Sequence, residues 1–151
     1  MNAIDLLKKQ HKEVKSLFRK MHKTEAARER SQLLEQIAIA LEGHTTIEEE
    51  IFYPAVKGLE TKKAEEMVSE ALEEHHVVKL VLAELPQVDV EDEQFGAKMT
   101  VLSELVEHHA DEEEKEMFKT AQKLGKAELE SLGAQMEERF EAFRRRASEA
   151  A

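Results

Sequence analysis

The chain has 151 residues, a net charge of -11 and no cysteine. One domain is expected at this length, because it can bury about 70% of the surface that the unfolded chain exposes. The lack of cysteine excludes disulfides and thiolate metal sites, and the negative charge disfavours nucleic acid and anionic lipid as partners. No N-terminal apolar run and no apolar segment of membrane-spanning length occurs, which predicts a cytoplasmic protein without membrane contact.

Composition and periodicity predict an all-α fold. Five glycines and two prolines interrupt a chain rich in Ala, Leu, Glu, Lys and Met, the residues with high helix propensity. Apolar residues recur at helical spacing almost throughout the sequence. The predicted helices cover about residues 3–21, 28–57, 62–85, 94–124 and 126–146. Short connections between the first four favour an antiparallel up-down-up-down four-helix bundle.

Prolines and glycines mark the predicted helix ends. Pro54 is expected to kink or end the second helix, because proline lacks an N–H and clashes with the preceding turn. Gly58 is a natural stop after it. Pro86 should close the third helix, and Gly125 the fourth.

The fifth helix is amphipathic and follows the bundle. We expect a bundle domain at residues 1–124 and a C-terminal segment at residues 125–151. The apolar seam of that segment must be covered by the bundle or by a second copy of the chain, so monomer and homodimer both stay open. Packing on its own bundle is favoured, since this is the usual fate of an amphipathic helix.

Polar residues interrupt the apolar faces of the first four helices. Each helix points one histidine inward, and the second and fourth add a glutamate one turn later: His11, His44 with Glu48, His75, and His109 with Glu113. A lone inward histidine is more often a core residue satisfied by one hydrogen bond than a ligand. A buried glutamate without a positive partner costs several kcal/mol, and these faces hold almost no lysine or arginine. A metal cation is therefore expected.

The surroundings of the four histidines repeat. His11 and His75 each begin H-x-x-V-K, whereas His44 and His109 each begin H-x-x-x-E-E. His44 follows His11 by 33 residues, and His109 follows His75 by 34. Two such halves related by a pseudo-twofold axis would face each other with equivalent ligand sets. This arrangement predicts two metal ions bridged by the two carboxylates. Imidazole and carboxylate ligands suit iron, manganese or zinc, and a dinuclear site in a helical bundle favours iron.

In the order and spacing of these motifs, the chain resembles the hemerythrin-like, or HHE cation-binding, family over residues 3–124. The matching segments are KKQHKEVK, HTTIEEEIFYP, EEHHVVK and EHHADEEEKEMF. The resemblance implies a four-helix bundle with a non-haem di-iron centre, whose two iron ions are bridged by an oxo or hydroxo group and by carboxylates. The six inward residues would be the metal ligands, with zinc or manganese as other candidate metals.

Two features depart from the hemerythrin pattern. Hemerythrin carries a second histidine on its third helix, where this chain has Lys79. Its fourth-helix carboxylate comes five residues after the histidine, which fits His108 with Glu113, or His109 with Glu114. The apolar stripe instead favours His109 with Glu113.

The resemblance implies binding of, or reaction with, a small oxidant or diatomic molecule such as O2, peroxide or NO. A missing ligand leaves an open coordination position, as in reactive metal sites, so catalase-like peroxide decomposition or oxygen reduction is a candidate activity. A non-catalytic iron-sensing or iron-storing module is the alternative. A purely structural bundle conflicts with the buried glutamates.

Several neighbouring side chains carry further expectations. Lys79, one turn beyond His75, is placed to donate a hydrogen bond to a bound peroxide. Tyr53 is expected to pack at the end of the bundle, with ligation of a ferric ion as the alternative. Glu49 and Glu50 are expected to be solvated. The remaining histidines are expected at the surface: His22, His76 and His108.

Overall fold

Local sequence signals set the helix boundaries. In the computed structural model, which describes residues 1–150, the α-helices are α1 (Ala3–Lys23), α2 (Ala27–Ile47), α3 (Tyr53–Lys57), α4 (Lys62–Glu84), α5 (Glu93–Glu112), α6 (Phe118–Ala121) and α7 (Lys126–Ala150). The side chains of Asn2, Thr61 and Asp92 accept backbone N–H bonds at the starts of α1, α4 and α5, which satisfies donors that a helix start leaves free. Gly125 separates α6 from α7 with a φ of 91°, which a side chain would disfavour.

Two π-helical turns join the shorter helices to the longer ones. Glu48–Phe52 links α2 to α3, and Glu113–Met117 links α5 to α6. Pro54 lies in the first turn of α3, where a missing N–H costs little, so the predicted second helix continues past it to Lys57. Neither π turn contains a proline, and no proline follows the second one, so proline does not explain both turns. Both turns begin at one of the inward glutamates.

The four rods α1, α2–α3, α4 and α5–α6 enclose a core that is divided into two apolar clusters. One cluster includes Leu7, Phe52, Val56 and Met117, and the other includes Phe18, Ile37, Leu82 and Phe95. The inward polar residues fall between them along every rod. The predicted all-α bundle with a fifth C-terminal helix is confirmed, and its polar residues form one layer across the middle. No helix within residues 1–150 is both long and apolar enough to cross a bilayer.

The C-terminal helix α7 packs against α1 and α2 of the same chain. Leu129 and Met136 enter the first apolar cluster. Arg139 donates to both carboxylate oxygens of Glu50 at 2.9 and 3.1 Å, which ties α7 to the π turn that carries Glu48. Gly133 lies against the backbone of Met1, Asn2 and Ala3. The helix thus takes the intrachain packing that its amphipathic pattern favours.

Gly133→Ala should destabilise the fold, because the added Cβ would lie under 3.0 Å from backbone atoms of the N-terminus. Overpacking of this kind costs about 1–3 kcal/mol. Urea unfolding would show a lower midpoint. The matched control is Gly96→Ala in α5, where no atom lies within 4 Å of the added Cβ. Alanine there should raise the free energy of unfolding by about 0.5–1 kcal/mol. Equal midpoints for the two variants would contradict the close approach.

Candidate metal centre

The six inward side chains converge in the polar layer, and each of these residues is at most 7% exposed. They form two overlapping groups, within each of which one atom per residue lies within 4.8 Å of the others. The first cluster contains His11, His44, Glu48 and Glu113, and the second cluster contains Glu48, His75 and His109. Glu48 belongs to both. The structure therefore brings together all six residues that the sequence nominated.

Each glutamate contacts one histidine of its own rod and one from the other half of the repeat. On their own rods, His44 Nε2 lies 3.2 Å from Glu48 Oε1, and His109 Nε2 lies 3.3 Å from Glu113 Oε2. Between the halves, the contacts are His75 to Glu48 at 3.0 Å and His11 to Glu113 at 3.1 Å. The carboxylates thus join the halves, as the repeat predicts.

Every histidine of the layer is held by its other ring nitrogen. The Nδ1 partners are Glu114 for His11 (2.8 Å), Gln10 for His44 (2.7 Å), Glu49 for His75 (2.8 Å) and Glu74 for His109 (2.6 Å). Each ring consequently turns Nε2 toward the interior. Histidines that bind metals are oriented in this way, with the outer nitrogen donating to a carboxylate or carbonyl oxygen.

These four partners were not predicted from the sequence, and the expectation that Glu49 is solvated was wrong. The Glu49 side chain is 27% exposed and contacts both His75 and Lys79. The missed residues have a pattern of their own, since Glu49 and Glu114 directly follow the inward glutamates. Gln10 and Glu74 directly precede inward histidines. A comparison of equivalent positions in the two halves of the internal repeat would have identified them.

Tyr53 lies in the centre of the layer, so its expected place at the bundle end was wrong. Its hydroxyl oxygen is 2.6 Å from Glu113 Oε2, 3.1 Å from Glu48 Oε1, 3.1 Å from His75 Nε2 and 3.2 Å from His109 Nε2. The π turn explains this position. The N–H of Tyr53 bonds to the carbonyl of Glu48, five residues earlier, and the widened turn brings the phenol back over that carboxylate.

Charge in the layer is balanced by protons. Burial opposes ionisation of Glu48, but the positive charge of His44 and hydrogen bonds within the layer hold the pKa of Glu48 well below its usual range. Burial also opposes protonation of the histidines, yet the neighbouring carboxylates raise the pKa of three of them: His11, His75 and His109. For Tyr53, burial and the negative charges of the carboxylates raise the pKa well above its usual value.

Two interior atoms have no hydrogen-bond partner among residues 1–150. They are Glu48 Oε2 and His44 Nε2, whose 3.2 Å contact with Glu48 Oε1 is not a hydrogen bond. An unsatisfied buried polar atom costs about 1–3 kcal/mol, and more when the group is charged. Both atoms belong to residues of the first cluster, and the whole set offers nitrogen and oxygen without sulfur. Such donors fit a divalent transition-metal ion.

Two clefts approach the layer from different sides. An acidic one reaches His109 and Glu113 and is lined by Glu70, Glu74, Glu112 and Glu116. A mainly apolar one reaches all four inward histidines and is lined by Val14, Leu41, Val78 and Val106. An acidic cleft attracts cations, whereas an apolar one suits small uncharged molecules.

The remaining candidates lie outside the layer. Lys79 is half exposed, and its ammonium is 2.7 Å from Glu49; its expected hydrogen bond to a ligand in the layer is therefore not what the geometry favours. His22, His76 and His108 are exposed, as expected. Glu114 contacts the outer nitrogen of His11, on the far side of the ring from the layer.

Comparison with known proteins agrees with this geometry. The family model of the hemerythrin HHE cation-binding domain matches residues 2–121, so the chain belongs to that family. Relatives include the uncharacterized proteins Rv2633c of Mycobacterium tuberculosis and Mb2666c of Mycobacterium bovis. Each is 33% identical over 147 residues, which cover 95% of this chain and 88% of the relative. The crystal structure of an Rv2633c homolog from Mycobacterium kansasii, a hemerythrin HHE cation-binding domain-containing protein, is similar with a TM-score of 0.84 and 31% identity, over 95% of this chain and 88% of that one.

A metal ion that enters this layer must displace protons, because the pKa values of His11, His75 and His109 are raised. The histidines hold their protons to a higher pH than usual. The apparent affinity for the metal ion should therefore rise with pH and continue to rise above the pH range in which ordinary histidines titrate. The slope should be about tenfold per pH unit for each displaced proton. Calorimetric Zn²⁺ titrations across that pH range would measure it. As a control, His76→Ala replaces an exposed histidine and should leave this pH dependence unchanged. A metal affinity that does not vary with pH would contradict proton displacement.

Proposed function

We propose that the layer holds two metal ions, with iron as the resident metal, and that the chain binds or reacts with a small oxidant or diatomic such as O2, peroxide or NO. The observation that carries this proposal is the pair of buried ligand clusters that share Glu48. The unpartnered atoms of His44 and Glu48 support it, because a cation would satisfy both. Membership of a cation-binding family points the same way.

The ligands divide between the ions by contact. His11 and His44 would hold one ion and His75 and His109 the other, with Glu48 and Glu113 between them. The Tyr53 oxygen would add a further ligand, since a cation in place of protons reverses the charge balance that raises the pKa of Tyr53. Two iron ions bound by these residues would supply the electrons that reactions with small oxidants require.

Side chains around the layer would control reactivity. Val14, Leu41, Val78 and Val106 line the apolar cleft and keep water away from the histidines. The Tyr53 hydroxyl donates to Glu113 Oε2 at 2.6 Å, which holds the phenol among the ligands. Reaction with peroxide is favoured over simple reversible carriage, because Lys79 lies outside the layer and the ligand set would therefore lack the second third-helix histidine of hemerythrin.

One observation favours a second candidate, an iron-sensing or iron-storing module. Arg139 of α7 binds Glu50, which follows Glu48 by two residues in the same π turn. A change in the layer on metal release would therefore reach the C-terminal helix directly. The two candidates differ in outcome, since a sensor changes its association state when iron is removed and a reactive site consumes peroxide.

Protein purified from iron-supplemented cells should contain about two irons per chain. His44→Ala and Glu113→Gln should each reduce metal affinity by at least about tenfold and abolish peroxide consumption, whereas the exposed His76→Ala should change neither. Metal analysis and peroxide-consumption rates would measure these effects. Stable, metal-free protein that is indifferent to His44→Ala would exclude the proposal.

Tyr53→Phe should remove any visible absorption that arises from phenolate bound to a ferric ion, while two irons remain bound. Absorption spectra of the oxidised protein, combined with iron analysis, would test the role of Tyr53. The chain has one tyrosine and no tryptophan, so the band has a single source. An unchanged spectrum would rule out ligation by the phenol.

Removal of iron by a chelator separates the two candidate functions. Sedimentation before and after removal should show the same association state if the site is reactive and a changed state if it is a sensor. Arg139→Ala should suppress that change in the sensor case, because it cuts the link between α7 and the π turn. Peroxide consumption without a change of state would favour the reactive site.

A further inference from the structure

The two halves of the repeat hold their histidines through equivalent contacts. Glu114, directly after inward Glu113, accepts from His11 at 2.8 Å. Glu49, directly after the other inward glutamate, accepts from His75 at 2.8 Å. These two contacts have the same chemistry and length, so they do not distinguish the two halves.

The second pair of contacts is equivalent in position and different in charge. Gln10 precedes an inward histidine and accepts from His44 at 2.7 Å. Glu74 precedes the corresponding histidine of the other half and accepts from His109 at 2.6 Å. The outer nitrogen of His44 therefore meets a neutral amide where that of His109 meets a carboxylate.

A second difference also concerns the histidines of the second cluster. Tyr53 and Phe118 hold equivalent positions, five residues after the two inward glutamates. The Tyr53 oxygen lies within 3.2 Å of the Nε2 atoms of His75 and His109. Phe118 instead stacks on the His11 ring at a centroid distance of 5.9 Å. The histidines of the second cluster thus have two carboxylates as outer partners, where those of the first cluster have one. The ionisable phenol also contacts the histidines of the second cluster.

These differences have a direct effect on metal binding. A histidine that donates to a carboxylate is a more basic ligand than one that donates to an amide, because the carboxylate draws its proton outward. Loss of such an outer partner lowers metal affinity by about 10–100-fold. Negative charge beside an ion also favours the more highly charged oxidation state.

We propose that Gln10 and Glu74 make the two metal positions unequal. Glu74, together with Tyr53, makes the second cluster the tighter position and the one that favours the more highly charged ion. Gln10 makes the first cluster the weaker position, where the metal exchanges more readily. This inference rests on the proposed two-metal function, and both residues act through a histidine as positioning residues.

Titration of the metal-free full chain with Zn²⁺ tests the inequality without any turnover. Calorimetry should resolve two interior binding steps of different affinity. The ultraviolet difference band of tyrosinate should grow with the first equivalent, because the Tyr53 oxygen contacts the histidines of the second cluster. Growth of that band with the second equivalent would reverse the assigned order and overturn the inference.

Two exchanges of the outer partners should move the steps separately. Glu74→Gln should weaken the first step by about 10–100-fold, and Gln10→Glu should tighten the second by about tenfold. Circular dichroism would verify that both variants fold. A single common affinity that neither exchange alters would overturn the inference and leave the two-metal function standing. A chain that binds no Zn²⁺ in its interior would overturn both.

The control addresses a second role that Glu74 has. Its carboxylate also groups with the exposed His108 and Glu112 into a set of ligand-type atoms at the surface. His108→Ala removes that set and leaves the contact to His109 intact. The first step should be unchanged in His108→Ala, and a loss as large as that of Glu74→Gln would show that Glu74 acts through the surface set, which would overturn the inference.

Discussion

Two buried carboxylates, Glu48 and Glu113, are the constraint on which the rest of the structure depends. Both are almost fully buried in a helical bundle, and an isolated carboxylate in such a place costs several kcal/mol. Four imidazoles and one phenol surround them, and the outer nitrogen of every imidazole is held in turn by a side chain of a neighbouring helix. The layer is thus a connected network of hydrogen bonds and ion pairs. Its contacts are needed together, because a half-satisfied buried network is costlier than an apolar core.

The network also organises the fold around it. The apolar core is split into two clusters, above and below the layer, so the bundle gives up continuous packing at its centre. The π turns begin at the two glutamates, and one of them places Tyr53 over Glu48. The π turns and the buried polar groups are concentrated where a cation would bind, as expected of residues that serve chemistry and not stability.

Residues that follow helical periodicity were predicted well, and residues placed by a departure from it were not. The inward positions of His11, His44, His75 and His109 depend only on angle around a regular helix, and the structure buries all four. Tyr53 was misplaced because a widened turn intervenes between it and Glu48. Glu49 was assigned to solvent because its angle alone points away from the apolar stripe, although a histidine of another helix reaches it. Contacts between rods depend on how the rods are set against each other, which one helix does not reveal.

By itself, the sequence determined the helical class, the repeat, the family resemblance and the six residues that face inward, because these follow from periodicity and spacing along one chain. The tertiary structure decided which atoms meet. It paired each carboxylate with a histidine from the other half, placed the phenol among them, and chose an amide for one outer nitrogen and a carboxylate for its counterpart. These choices arise between helices, where small differences in rotation and in the π turns select the neighbours. The sequence shows that residue 10 is Gln10 and residue 74 is Glu74, but only the packing shows that each one contacts a histidine.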